Sequence, residues 1–178
     1  MLTCKNLKIT IKTEKDIIIE ACNFGEELKE KKISYIIKSE HTAYTMYKHE
    51  SKSIHVTGIK SAENFLKVIE FVKRKFKVKI EQMRIDNSMF SCKKKVAIDR
   101  NKLLLEINNK NFPYSTNFTM EVFPAIFLKP RRELKKRGAP TIIFFPSTGS
   151  YVLLGGKRLI EIKHASVYIE NLIKKYSF

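Results

Sequence analysis

Residues 43–76, AYTMYKHESKSIHVTGIKSAENFLKVIEFVKRKF, decide the reading of this chain, because residues 140–176, PTIIFFPSTGSYVLLGGKRLIEIKHASVYIENLIKKY, repeat their order element for element. Each block runs as an apolar strand, a polar turn, a second apolar strand, a Gly-x-Lys junction and then a segment with helical apolar spacing. Gly58 and Lys60 fall on Gly155 and Lys157, and Tyr47 falls on Phe145. Self-similarity over this length means that one strand-and-helix unit is used twice.

Upstream of each block lies a further matching piece, a strand opened by asparagine: Asn6-Leu-Lys-Ile-Thr-Ile in the first copy and Asn87-Ser-Met-Phe-Ser-Cys in the second. The repeats therefore span 1–77 and 78–178. The long helices place Phe65, Ile69, Val72 and Phe76 on one face of the first copy and Leu159, Ile162, Ile169 and Ile173 on the matching face of the second. Lys67, Lys73, Arg74, Lys163 and Lys174 occupy the other sides. A shorter helix around Ala21–Lys31 and a weaker one around Leu103–Phe118 are expected to join the first strand of each copy to the next. The class is α+β. An antiparallel sheet with helices on one face leaves its other face bare, and two bare faces of a duplicated unit can join into one long concave surface suited to a rod-like ligand.

Charge says what kind of rod. Lys and Arg number 35 against 18 Asp and Glu, a net +17 at pH 7, which points to a polyanion and most simply to a nucleic-acid duplex. At 178 residues, 43% hydrophobic and 11% aromatic, the chain has enough apolar surface for one domain or two small joined halves. An anionic membrane is the competing partner, but no 18-residue apolar run exists and Met1-Leu-Thr-Cys-Lys-Asn has no signal-peptide core, so a soluble intracellular protein is expected. Cys4, Cys22 and Cys92 are odd in number and form no CxxC pair, against both a disulfide frame and a zinc site.

The constellations that would signal catalysis fail one by one. Gly149 to Arg158 has the glycines and lysine of a phosphate-binding loop, yet the spacing is wrong and Arg158 stands where a magnesium-binding hydroxyl belongs. His41, His49, His55 and His164 show no ligand spacing, and the acids form no DxD or paired-carboxylate signature. No enzyme activity, cofactor, metal or small-molecule substrate is expected. The basic run Lys129–Arg137, followed by Gly138-Ala-Pro140, reads as an enlarged loop between strands, either solvated or gripping phosphates or an acidic partner.

With those residues in view, the chain resembles the TATA-box-binding protein (TBP) family. The likeness rests on Ile85-Asp-Asn-Ser-Met-Phe-Ser-Cys92, Val122-Phe-Pro-Ala125, Lys129-Pro-Arg131 and Val56-Thr-Gly-Ile-Lys-Ser61, which fall in order across both repeats. The resemblance implies a saddle: a curved antiparallel β-sheet, four helices on its convex face and two pseudo-symmetric repeats. It implies a general transcription initiation factor that binds and bends A·T-rich promoter DNA in the minor groove and recruits a transcription factor IIB-like protein and the RNA polymerase machinery. The family is itself the standard example of minor-groove kinking, so the ~80° bend is taken from the resemblance. The location it implies is the nucleus of a eukaryote, or the cytoplasm of an archaeon or a viral factory.

The DNA-binding set carried over is Asn6, Lys8, Thr45, Tyr47, His55 and Thr57 in the first repeat, and Asn87, Met89, Phe123, Thr141, Ile143, Phe145, Val152 and Leu154 in the second. Phe123 and Phe145 match the second-repeat wedges that unstack a base step. In the first repeat Tyr47 takes one wedge position, the other has no clear counterpart (Ile33 fits poorly), and Lys8 and His55 replace aliphatic residues. Glu121 and Val122 match the partner-binding patch. The alternative is a domain of the same fold with low sequence specificity, serving a separate nuclease or glycosylase or acting as an architectural DNA binder.

Overall fold

The computed structural model describes residues 1–22, 24, 27–117 and 124–178. The chain divides into two compact units, Asn6–Asp86 and Met1–Lys5 together with Asn87–Phe178, called the first and second unit below.

The first unit carries β1 (Thr3–Thr13), β2 (Leu28–Glu30), β3 (Ser34–Ser39), β4 (Thr42–Tyr47), β5 (Ser53–Ile59) and helix α1 (Ala62–Phe76). β6 (Ile80–Cys92) belongs to the first unit as far as Asp86 and to the second from Asn87, and the second also carries α2 (Arg100–Ile107), β7 (Tyr114–Asn117), β8 (Ile126–Pro130), α3 (Arg132–Lys136), β9 (Thr141–Phe145), β10 (Ser150–Leu154) and α4 (Leu159–Tyr176). Strands lie in the order β2-β3-β4-β5-β1 in one unit and β7-β8-β9-β10-β6 in the other. The two orders are the same topology, as the internal repeat requires, and the pairings within each unit are antiparallel.

Alternation along the strands fixes which face is covered. In β9 and β10 Ile142, Phe144, Tyr151 and Leu153 are buried, and with Ile126 and Leu128 they pack beneath α4 residues Ile162, Ala165, Ile169 and Ile173. In the first unit Ile9, Ile11, Ile37, Tyr44, Ile54 and Val56 form the covered face together with Val68, Val72 and Phe76 of α1. The Tyr44 and Phe71 rings stack at 4.4 Å, and Phe24 meets Phe76 at 4.9 Å. Each such side chain contributes roughly 1.5–3 kcal/mol by leaving water. The covered faces therefore carry the stability, and the residues alternating with them are available for binding.

Local chemistry sets the helix ends. Ser61 caps α1 by accepting from the Asn64 N–H at 3.0 Å, and Asn64 Oδ1 accepts from the Lys60 N–H in return. Asp99 caps α2 through the Lys102 N–H.

Four expectations need correction. Among the described residues of 21–31 no α-helix forms: a 3-10 turn covers Ile19–Ala21, and Leu28–Glu30 pairs with Tyr35–Ile37 as an edge strand, a ladder that wins over weak helical periodicity. The second short helix ends at Ile107, before the Asn-rich stretch and Pro113, and Tyr114–Asn117 is strand. Leu159 does not join the apolar face of α4, being 60% exposed at its first position. The basic run is not a plain loop, since after Pro130 it turns into α3; Arg137 then pairs at 2.9 Å with the buried carboxylate of Glu161, while Arg131, Arg132 and Lys135 stay exposed. Among the described residues no helix is long and apolar enough to cross a membrane.

Candidate nucleic-acid interface

Cross-strand register brings the second-repeat set together on the open face of the second unit. Met89, Leu154 and Thr141 form one row across β6, β10 and β9. Ser91, Val152, Ile143 and Phe127 form the next, extended onto β8. Phe145 stands opposite Ser150. All alternate with core residues and are half-buried, except Met89, which is 38% exposed. Phe145 and Val152 edge an open cavity of about 570 Å³ that Lys93 and Lys95 also line, so apolar surface and cationic side chains lie side by side there.

Phe127 belongs to this face and escaped the sequence reading. Counting one strand further by period two from the Ile143 partner would have found it. The remaining members of the set, Phe123 with Glu121 and Val122, lie outside the described residues.

Both asparagines are held by backbone, but by different partners, since the Gly155 N–H that would match Gly58 bonds the Ser88 carbonyl instead. Asn6 Oδ1 accepts from the Gly58 N–H at 3.0 Å, and Asn87 Oδ1 accepts from the Ser88 N–H at 2.9 Å. Each carbonyl oxygen accepts one backbone N–H, and the NH₂ group supplies the donors that either exposed amide can offer a ligand. The β1–β5 register gives β5 one extra residue between the Leu7↔Ile59 and Ile9↔Val56 pairs, so Lys8 faces the Thr57–Gly58 bulge and shares the open face with Asn6 and Thr10.

In the first unit the row equivalent to Ser91–Val152–Ile143–Phe127 is Thr10–His55–Thr45–Ile36. His55 is bound on both ring nitrogens: Nδ1 lies 3.0 Å from Thr10 Oγ1 and Nε2 lies 2.9 Å from Glu50 Oε2. The Thr10 hydroxyl donates to Asp86 Oδ2, and Arg84 Nε donates to Asp86 Oδ1 at 3.0 Å. Tyr47 rests edge-on to the His55 ring at 5.2 Å and near His49 at 5.7 Å. Ile33, 61% exposed, is placed at the Tyr47 end by the Ser34↔Tyr47 pair and by the Lys48 N–H bonding its carbonyl. Ser34, not Ile33, stands opposite Tyr47, so the first unit shows no second apolar wedge in register with that ring.

The hydrogen bond from His55, with smaller help from the charges of His49 and Lys12, holds the Glu50 carboxyl below the usual glutamate range. A depressed carboxyl contributes stability above its ordinary pKa and loses it as pH falls through the lowered value. His55→Ala should bring the Glu50 titration back up toward the ordinary range, followed by carboxyl-carbon NMR. An unchanged Glu50 titration would show that the network does not hold in solution.

No family model matches the chain, and no curated protein matches it either. Among solved structures it is similar to Methanococcus jannaschii TBP, at 17% identity, with 98% of each chain covered and a TM-score of 0.69. At that identity the likeness speaks for the fold: the chain has an α+β, TBP-like fold, built of antiparallel strands and four helices among the described residues.

Proposed function

We propose that this protein is a promoter-binding transcription initiation factor, taking an A·T-rich duplex by its minor groove on the open faces of its two units, bending it, and being read by a factor-IIB-like protein and RNA polymerase. The observation that carries this reading is the open face of the second unit, where Met89, Leu154, Val152, Ile143 and Phe145 stand beside the Asn87 amide on a chain of net charge +17. The minor groove separates A·T from G·C mainly by the guanine amino group, so a reader of A·T needs apolar shape with a few amide donors. That is the inventory here. Lysines and arginines hold phosphates and supply affinity without sequence information. Glu121 and Val122 are the proposed contacts for the factor-IIB-like partner. The role involves no catalysis, and in a eukaryotic host it is exercised in the nucleus.

Selection from a random duplex pool tests it. Enrichment of A·T-rich sites is expected, with binding that weakens steeply with salt, by a logarithmic slope of ~0.9 for each neutralised phosphate. Salt-indifferent binding would exclude the duplex, and salt-sensitive binding with no enriched sequence would favour the low-specificity module serving a separate enzyme.

A further inference from the structure

The two open faces are not chemically alike, and the difference has a direction. Where the second unit presents Val152, Ile143, Leu154 and Met89, the matching positions of the first are His55, Thr45, Thr57 and Lys8. The first face is further covered by Asp86, whose carboxylate reaches across to Thr10 on β1. Resting on the reading of a minor-groove binder, we infer that the first unit reads guanine: its open face accepts a hydrogen bond from the guanine 2-amino group, so half of the bound site admits or prefers G·C.

Hydrogen-bond accounting supplies the argument. A face that reads A·T must offer donors or apolar shape, because adenine N3 and thymine O2 are both acceptors. The central imidazole has nothing left to donate, since both its nitrogens are engaged within the protein, by Thr10 and Glu50. The Thr10 hydroxyl is likewise spent on Asp86. Asp86 is the reverse case. Its two oxygens hold about four lone-pair sites, of which Thr10 and Arg84 take two, so the carboxylate keeps acceptor capacity beside Thr10 on this face. Against an A·T pair that capacity meets only acceptors and is repelled; against G·C it meets the one donor the minor groove possesses. Thr45 and Thr57 tolerate either partner. Lys8 and Arg84 have long stems that let their charges reach phosphate, where they do not discriminate.

The placement of the network also explains why it persists on a surface meant for DNA. A lone carboxylate or imidazole there would lose its hydration on binding without recompense. Here Glu50, His55, Thr10, Asp86 and Arg84 satisfy one another before the ligand arrives. The cost of carrying polar groups into the interface is thereby reduced, and the side chains stay oriented.

Base analogues provide the test, on the intact protein and without relying on a variant that has to fold. Sites recovered from the random pool are rebuilt with inosine for guanine, which removes only the 2-amino group, or with 2,6-diaminopurine for adenine, which adds it. Inosine in one half of the site should weaken binding roughly tenfold, the scale of one mismatched pair, and diaminopurine in that half should strengthen it. The other half should respond oppositely or not at all. The double variant His55→Val/Thr45→Ile, which copies the second-unit row, together with Asp86→Ala, should abolish the inosine effect and shift that half of the recovered sites toward A·T. Equal binding of guanine and inosine duplexes, or recovered sites that are A·T-only in both halves, would overturn the inference while leaving the promoter-binding reading intact. A pool that returns no enriched duplex would overturn both.

Discussion

Under the proposed minor-groove binding, Phe145→Ala is expected to lose roughly half of the DNA bend, because it removes one of the two kinking rings assigned to the second unit, Phe123 and Phe145, whereas Tyr47→Ala leaves the bend near that of the unmodified protein. Phe145 closes β9 on the open face of the second unit, next to the cavity shared with Lys93 and Lys95. A phenyl ring inserted into a base step costs a few kcal/mol of unstacking, which added contact and flanking cations recover. Tyr47 stands at the equivalent place, but two effects oppose its insertion. Its phenolic oxygen would lose hydration between stacked bases. Its ring would also leave the edge-on contact with His55 at 5.2 Å, a kind of pairing worth about 0.5–1.5 kcal/mol. The residue opposite it, Ser34, is too small to act as a second wedge. Energy transfer across an end-labelled duplex measures the bend. Equal losses from Phe145→Ala and Tyr47→Ala would show that the first unit kinks as strongly, and Ile33→Ala combined with Tyr47→Ala would then locate the residue responsible.

The repeat was legible because it imposes the same order of apolar strand, turn and junction twice, and the strand orders β2-β3-β4-β5-β1 and β7-β8-β9-β10-β6 have the same topology. The open face was legible for a related reason: period two assigns Thr141, Ile143 and Phe145 to one side of β9 and Ile142 and Phe144 to the other, whatever the partner strand is. The short elements were not. A three-residue edge strand such as Leu28–Glu30 exists only because β3 offers it a ladder, and nothing within those residues announces a partner further along the chain. The helix in the basic run likewise depends on contacts outside it, through Arg137 and the buried Glu161. The polar network of the first unit was half visible. Lys8 and His55 stood out as wrong for an apolar face, but that Glu50 and Asp86 converge on His55 and Thr10 from a turn and from another strand depends on three-dimensional register alone.

The glycines matched by the repeat, Gly58 and Gly155, look interchangeable in sequence, and their replacement by alanine should nevertheless have very different costs. Both adopt left-handed backbone, with φ of +93° and +79°. An L-residue held there loses about 1–2 kcal/mol through contact of its Cβ with the following carbonyl. That is the whole penalty expected for Gly155→Ala, since the nearest atom to the added methyl is Asn87 Oδ1 at 4.0 Å. At Gly58 the added carbon would lie 2.1 Å from the His41 carbonyl oxygen and 3.2 Å from the Thr42 Cα. Both are backbone atoms at the start of β4, which cannot swing aside as a flexible side chain would, and overpacking of this kind adds about 1–3 kcal/mol. Gly58→Ala should therefore lose about 2–5 kcal/mol, a large share of the ~5–15 kcal/mol that holds a domain folded. The denaturant midpoint at unchanged slope measures the loss. The consequence reaches the interface, because the Gly58 N–H is the donor that fixes the Asn6 amide. Equal midpoints for Gly58→Ala and Gly155→Ala would mean that the Thr57–Gly58 bulge relaxes around the methyl, and that Asn6 is not rigidly set by this turn.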